Sequence, residues 1–457
     1  MRETHGMDRA ERLQFILQGK VKQVLWKLGM PTMLAMVVSG LYNVVDAFFV
    51  SHLGSSQMAA VAISFPISLI FIGICMTFGI GGASYVSRLL GEKHIKEANQ
   101  VASTALYSGL LVTVVLAVFV VVFMDPLLQL LGTTAGMYNY AVEYLQVYLL
   151  ALVLLAFSLI MNQLAGAEGL TKIPMISIIL GSVLNIILNP LLIYGAGLGV
   201  SGSAWATVLA ALGMDLYLMW FIFRRLGVLT YGPTGGRCSS SIYAEIFKIG
   251  IPMFVSQLLQ GAVLGLANLV AAAYGDAAVA ACGVINRILT LAFFVVYGFL
   301  RGYGPFVGIN FGAEQFERVR EATRTVLRWG LLYCFILSLF MWLLSEQIMG
   351  WFSNGDEEML RIGAWMLWAN GFGFLCFGME TVYMTIFVSI GYGKAGGLLN
   401  ISLNGFFYIP LLLLLSHYFG LWGLVWSYSA AHVLNTLLTW VLKRHYLDRG
   451  VLKEVET

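Results

Sequence analysis

The chain has 457 residues, of which 59% are hydrophobic and 11% charged, with a net charge of +3. A soluble domain carries about 25% charged residues, so there are too few polar side chains here to cover a water-facing surface, and the solvent must be lipid. Cys75, Cys238, Cys282, Cys334 and Cys376 form no CxxC pair, which argues against a disulfide framework and a thiolate metal site.

Residues 8–27 alternate charge with Leu13, Ile16, Leu17, Val21, Leu25 and Trp26. That pattern predicts an amphipathic helix lying on the membrane surface. Apolar runs long enough to cross a bilayer, about 20 residues each, then follow. In the first half they cover about 28–50, 57–87, 101–123, 138–165, 173–194 and 201–223. The first is too long for a signal peptide and lacks a small-residue cleavage site. A polar break over 224–247, with Gly232, Pro233, Gly235, Gly236 and three serines from Ser239, reads as a flexible cytoplasmic linker. Six further runs cover about 248–271, 277–309, 325–345, 360–390, 396–416 and 420–442. Several exceed the thickness of a bilayer, so tilt or extension beyond it is expected. The chain is therefore read as an all-α membrane protein of twelve spans, with an N-lobe over 1–223 and a C-lobe over 248–457.

The two halves repeat. Shifted by 221 positions, Gly29 and Pro31 fall on Gly250 and Pro252, Gly54 on Gly275, Gly91 on Gly312, and Trp205 on Trp426. Transporters built from two repeated bundles hold substrate between the bundles and rock around it.

Lys and Arg set the orientation. Alternate connections carry Arg88, Lys93, Lys96, Lys172, Arg224, Arg225, Arg318, Arg320, Lys394, Lys443 and Arg444, while the others carry one basic residue, Arg361, beside Asp125, Asp276, Asp356, Glu357 and Glu358. By the positive-inside rule both termini are cytoplasmic. No loop is large enough for a nucleotide-binding domain, and Gly391–Lys394 lacks the spacing of a phosphate loop. Work would have to come from an ion gradient, in which one charge crossing about 100 mV yields roughly 2.3 kcal/mol.

Charges inside the spans are costly in hydrocarbon and so are informative. Asp46 lies near the outer end of the first span, with Tyr42 and Asn43 on its helical face. Its counterpart in the second half is Ala267, which favours a site in one lobe. Asn185 and Asn189 share a face of the fifth span, and Thr207 lies near the outer start of the sixth. At 1.5 Å per residue, Asp46, Asn185, Asn189 and Thr207 all fall roughly 6–14 Å below the outer surface. One carboxylate, two amides and a hydroxyl at one depth make a candidate proton or small-cation site. The competing reading is that the amides and hydroxyl only join neighbouring helices.

The chain resembles the multidrug and toxic compound extrusion (MATE) transporters over nearly its whole length. The resemblance rests on Pro31, Leu41-Tyr42-Asn43 with Asp46, Leu53-Gly54, Ala59-Ala60-Val61, Ser87-Arg88-Leu89-Leu90-Gly91, and Pro305 with Asn310-Phe311-Gly312-Ala313. It implies two pseudo-symmetric six-helix bundles and export of cationic, aromatic, drug-like compounds against H⁺ or Na⁺ by alternating access. It further implies that Asp46 is the N-lobe coupling acid, Pro31 the point where the first helix bends, and Asn162, Asn185 and Thr207 members of the N-lobe polar network. Asn189 sits where some members carry a second aspartate, so one N-lobe acid remains.

In the second half, Gln257 and Gln260 stand where some relatives have a glutamate, and Glu380 falls near another acidic position of the family. Arg301 lies at about the depth of Glu380, so an ion pair between them is the competing reading. Arg287 and Asp215 are also intramembrane and either pair or face the cavity, and His417 and His432 look isolated. No metal is expected beyond Na⁺ at Asp46, and no cofactor, nucleic acid or enzyme activity. A monomer in the lipid of a bacterial or archaeal plasma membrane is expected. The alternative within transport is a lipid-linked oligosaccharide flippase, for which extra helices or a more basic cavity would be expected. An intramembrane enzyme would need a catalytic constellation that the sequence does not show.

Overall fold

A computed structural model describes residues 9–232, 239–353 and 355–451, and among these every regular element is helical. The amphipathic lead-in forms α1 (Arg9–Gln18), separated by a short turn from α2 (Val21–Ser51). Asp8 lies outside the described residues. The second span is two helices, α3 (Ser55–Ile63) and α4 (Phe65–Gly91), with Pro66 in the first turn of the second, where its missing N–H costs nothing. Then come α5 (Ile95–Val122), the short α6 (Met124–Leu130), α7 (Ala135–Ala167), α8 (Lys172–Pro190) ending in the π-turn Leu191–Gly195, and α9 (Gly199–Phe223).

The C-lobe contains α10 (Ser240–Ala272), α11 (Asp276–Gly312), α12 (Phe316–Gly350), α13 (Glu357–Ser389), α14 (Gly393–Ile401), the π-turn Ser402–Tyr408, α15 (Ile409–Phe419) and α16 (Leu421–Leu442). At offset 221 the counterpart of Pro66 is Arg287. With no proline there, α11 runs unbroken for 37 residues where the N-lobe needs two helices. Eleven stretches among the described residues are long and apolar enough to cross a membrane. The remaining expected span, α16, has the length, at 22 residues, but carries buried Ser427, Ser429, His432, Asn435 and Thr439.

The lobes meet along two antiparallel helix pairs, α4 with α10 and α2 with α11, and glycine brings the backbones together. A methyl on Gly81 would lie 2.3 Å from the Ile246 carbonyl, and one on Gly302 would lie 2.4 Å from that of Leu28. Positions 81 and 302 are equivalent in the repeat, so each lobe presents the same glycine to a helix of the other, with the two partner carbonyls one helical turn out of register. The cytoplasmic ends are tied further. Arg88 donates to Glu245 at 3.0 Å, and the Ser84 hydroxyl donates to the Val388 carbonyl at 2.5 Å. Arg318 of the C-lobe donates to the carbonyls of Ile16 (3.0 Å) and Gly19 (2.8 Å), clamping the α1–α2 turn. The inner side of the molecule is thus closed.

The linker differs from the sequence expectation on both sides. Helix α10 already begins at Ser240, capped by Ser239, inside the segment read as linker. The stretch after α9 is docked rather than loose. Glu168, at the end of α7, accepts from the backbone N–H groups of Val228 and Leu229 and from the Tyr231 hydroxyl, and Asn99 accepts from the Thr230 N–H at 2.9 Å. Pro233, Gly235 and Gly236 lie outside the described residues.

Candidate functional site

Asp46 stands on the outer half of α2 and faces α8 and α9. The Nδ2 of Asn189 donates to Asp46 Oδ1 at 2.7 Å and to Asn185 Oδ1 at 2.7 Å. The Nδ2 of Asn185 donates to the Thr207 hydroxyl at 3.3 Å, which donates to the Ser203 carbonyl at 3.1 Å. The four residues expected from depth alone therefore form one hydrogen-bonded chain across three helices. The i, i+4 spacing of Asn185 and Asn189 makes this geometry available, because it stacks the two amides on one face of α8. One oxygen is left over: Asn189 Oδ1 is buried and has no partner. An oxygen of this kind beside a carboxylate can accept from a protonated acid or ligate a small cation.

Phenols stand near the site from two helices: Tyr42 one turn before Asp46 on α2, and Tyr144 and Tyr148 on α7, whose rings stack at 5.0 Å. Asn43 was expected to share this face, but its side chain lies outside the described residues. Asn162 is buried on α7 with its Oδ1 unpartnered. Pro31 lies within a continuous α2. It removes the N–H that would bond one turn back, and the neighbouring Thr32 hydroxyl donates to the carbonyls of Leu28 (3.3 Å) and Gly29 (3.0 Å).

In the C-lobe the structure corrects the sequence reading of Glu380. This residue is 4% exposed and is held by donors of α16. His432 Nδ1 donates to Oε2 at 3.0 Å, Asn435 Nδ2 to Oε2 at 2.9 Å, and the Thr436 hydroxyl to Oε1 at 2.8 Å. His432, read from sequence as isolated, is thus the partner of Glu380, and Arg301 is not. Arg301 belongs to the stretch of α11 that packs through Gly298 and Gly302 on α2, while the Glu380 carboxylate is turned to α16. Asp215 likewise pairs with the Ser158 hydroxyl on α7 and not with Arg287. Among the described residues neither Arg287 nor Arg301 enters an ion pair. Gln257 is half-buried and Gln260 exposed on α10, neither drawn into the Glu380 cluster. No group of three metal-ligating side chains occurs among the described residues.

Two copies of one family model, MatE, match residues 31–191 and 252–414, one in each lobe. The chain belongs to the MatE family. Its relatives include the multidrug export protein MepA of Staphylococcus saprophyticus, 28% identical over 98% of both chains. MepA of Staphylococcus aureus is 27% identical over 96% of this chain and 97% of its own. Among solved structures, a mutant of the Vibrio cholerae MATE transporter VcmN superposes with a TM-score of 0.89 at 22% identity, over 94% of this chain and 98% of that one. A MATE transporter in the outward-facing conformation superposes with a TM-score of 0.87 at 24% identity, over 94% and 96%. The apolar helices and the bacterial relatives make this MatE protein a multi-pass protein of the plasma membrane. The repeat offset seen in the sequence is the spacing between its two MatE units.

Sequence reasoning missed Ser203, Tyr144 and Tyr148 around the MatE N-lobe acid. The tyrosines carried a readable signal, since an i, i+4 pair of phenols in a membrane span shares one face. Ser203 carried none.

Proposed function

We propose that this MatE protein is a secondary active multidrug exporter that exchanges cationic, aromatic compounds for H⁺ or Na⁺, with Asp46 as the acid whose loading sets the direction of opening. The observation that supports this reading most is the chain from Asp46 through Asn189 and Asn185 to Thr207. A single amide nitrogen, Asn189 Nδ2, serves both Asp46 and Asn185.

The coupling step follows from donor and acceptor counting. An ionised Asp46 only accepts, which suits Asn189 Nδ2. A protonated Asp46 must donate, and then it needs the amide oxygen. Turning that amide brings Asn189 Oδ1 to Asp46 and withdraws Nδ2 from Asn185, so one proton rewrites the contacts between α2, α8 and α9. Sodium would act at the same place, held by the Asp46 carboxylate and the spare amide oxygen. Helix α2 is free to answer by bending where Pro31 interrupts its hydrogen bonds. Release of the polar tie on its outer half would let the N-lobe cavity narrow and expel substrate.

Vesicles containing the purified protein and loaded with a fluorescent cationic dye test the proposal. Dye efflux that collapses on adding a protonophore assigns H⁺, and collapse on removing Na⁺ assigns Na⁺. Efflux indifferent to both would sink the exchange mechanism.

One observation favours a second reading. Arg287 and Arg301 lie on the stripe of α11 that includes Leu291, Phe294 and Gly298, the face turned toward α2. Two cations on that face suit an anionic group on the substrate, as a flippase of lipid-linked sugars would require. Dye efflux that improves in an Arg287→Gln, Arg301→Gln double variant supports the exporter. Loss of transport of a lipid phosphate in the same variant supports the flippase.

A further inference from the structure

The cytoplasmic end of the N-lobe carries an opening that the transport cycle above does not use. It lies between α1, the start of α2 and the turn joining α7 to α8, and it encloses about 90 Å³. Phe15, Ile16 and Leu28 make its walls, and Arg12, Lys27 and Lys172 stand around it. All three cations are half-buried. A second, shallower opening shares Lys27 and adds Lys22, Trp26 and Trp329. Trp26 is 56% exposed and meets Trp329 edge-on at 5.9 Å.

Three features define what would fit. The chemistry is mixed, with apolar walls below several positive charges, so a partner needs an anionic head and a hydrocarbon body. The depth is fixed, because a tryptophan exposed as Trp26 is sits where headgroups meet acyl chains. The side is fixed too, since these residues belong to the Lys- and Arg-rich connections that face the cytoplasm. Basic pockets between helices on that side bind anionic headgroups.

We propose that this opening binds the headgroup of an anionic phospholipid of the cytoplasmic leaflet. The phosphate lies among Arg12, Lys27 and Lys172, and the acyl chains descend along the apolar wall beside α2. The Glu168 carboxylate near Arg12 offsets part of the charge but does not line the opening. Arg12 also donates to the Leu226 carbonyl at 3.3 Å, so a lipid seated here would bear on both the α1 lead-in and the segment after α9.

The test uses the full chain in a neutral detergent, titrated with dioleoyl phosphatidylglycerol or dioleoyl phosphatidylcholine and read by native mass spectrometry. The wild type is expected to retain the anionic phosphatidylglycerol preferentially. A Lys27→Gln, Lys172→Gln variant is expected to lose affinity for it by about five-fold per charge removed, or roughly 25-fold for both. A Lys27→Arg, Lys172→Arg variant keeps the charge and should keep the lipid. A Lys93→Gln, Lys96→Gln variant, at the exposed turn before α5 and in its first helical turn, should bind as the wild type does. Equal retention of both lipids, unchanged affinity in the double Gln variant, or displacement of the lipid by millimolar inorganic phosphate alone would each overturn the assignment to a lipid.

Discussion

Gly91 of the N-lobe and Gly312 of the C-lobe lie against each other's helices at equivalent positions of the repeat. A methyl on Gly91 would sit 2.1 Å from the Ile309 carbonyl, and one on Gly312 would sit 2.1 Å from the Arg88 carbonyl. Positions 88 and 309 are themselves equivalent, so the contact is two-fold symmetric. Backbone oxygens cannot swing aside as a side chain can. The inner closure therefore depends on the absence of a side chain at both places.

Gly91→Ala is accordingly expected to open the cytoplasmic side. Overpacking of this kind costs about 1–3 kcal/mol, enough to shift the balance of conformations roughly five- to hundredfold. Spin labels on the cytoplasmic turns after α4 and α11 would report a longer distance in the variant. An unchanged distance distribution would show that the lobes close by other contacts.

Asp46→Asn should fold and reach the membrane yet fail to exchange dye for its ion. The substitution keeps the size and an oxygen for Asn189 Nδ2, but it cannot take up a proton or carry the charge that holds Na⁺. Asn189→Ala removes the bridge to Asn185 while leaving the acid, and is expected to slow coupled efflux without abolishing it. Measured efflux rates that rank the two variants the other way would shift the central role from Asp46 to the amide.

Much of this arrangement was legible in the chain, because membrane helices tie sequence to depth at a fixed rise. Depth placed Asp46, Asn185, Asn189 and Thr207 on one level, and the offset of 221 placed Gly91 opposite Gly312 in the repeat. Depth does not give azimuth. Arg301 was placed at the level of Glu380, but the ion pair held as the competing reading is not formed, and His432 is the partner. Glu168 was invisible for a related reason. An acid at a helix end reads as solvated, and only the folded chain shows the segment after α9 lying over it. The unbroken α11 was readable, since Arg287 replaces the proline that divides its N-lobe counterpart.

Glu380→Ala is expected to destabilise the C-lobe. It leaves the His432, Asn435 and Thr436 donors without an acceptor in a buried site. Breaking a buried pair by removing one partner costs about 3–5 kcal/mol. Glu380→Gln keeps an acceptor oxygen and should cost less. Thermal unfolding of the detergent-solubilised protein checks the order. If both variants melt with the wild type, the cluster contributes nothing to stability, and its buried polar groups would need a role in transport.

The segment after α9 should bind the N-lobe more firmly at mildly acid pH than at alkaline pH. Burial raises the Glu168 carboxyl from 4.5 to about 7, against the lowering effect of the Leu229 and Val228 N–H groups, the Tyr231 hydroxyl and the Arg12 charge. A carboxyl released to solvent returns to its ordinary value. Between those two values the docked form therefore holds a proton that the undocked form has lost. Stability of docking is complete below 4.5 and declines as pH rises through about 7. Hydrogen exchange at the Val228 and Leu229 amides, corrected for the intrinsic pH dependence, should show protection falling from pH 6 to pH 8. Glu168→Gln should flatten that profile. Protection that instead rises with pH would mean that the ionised carboxylate, through its N–H bonds and Arg12, is the form that holds the segment down.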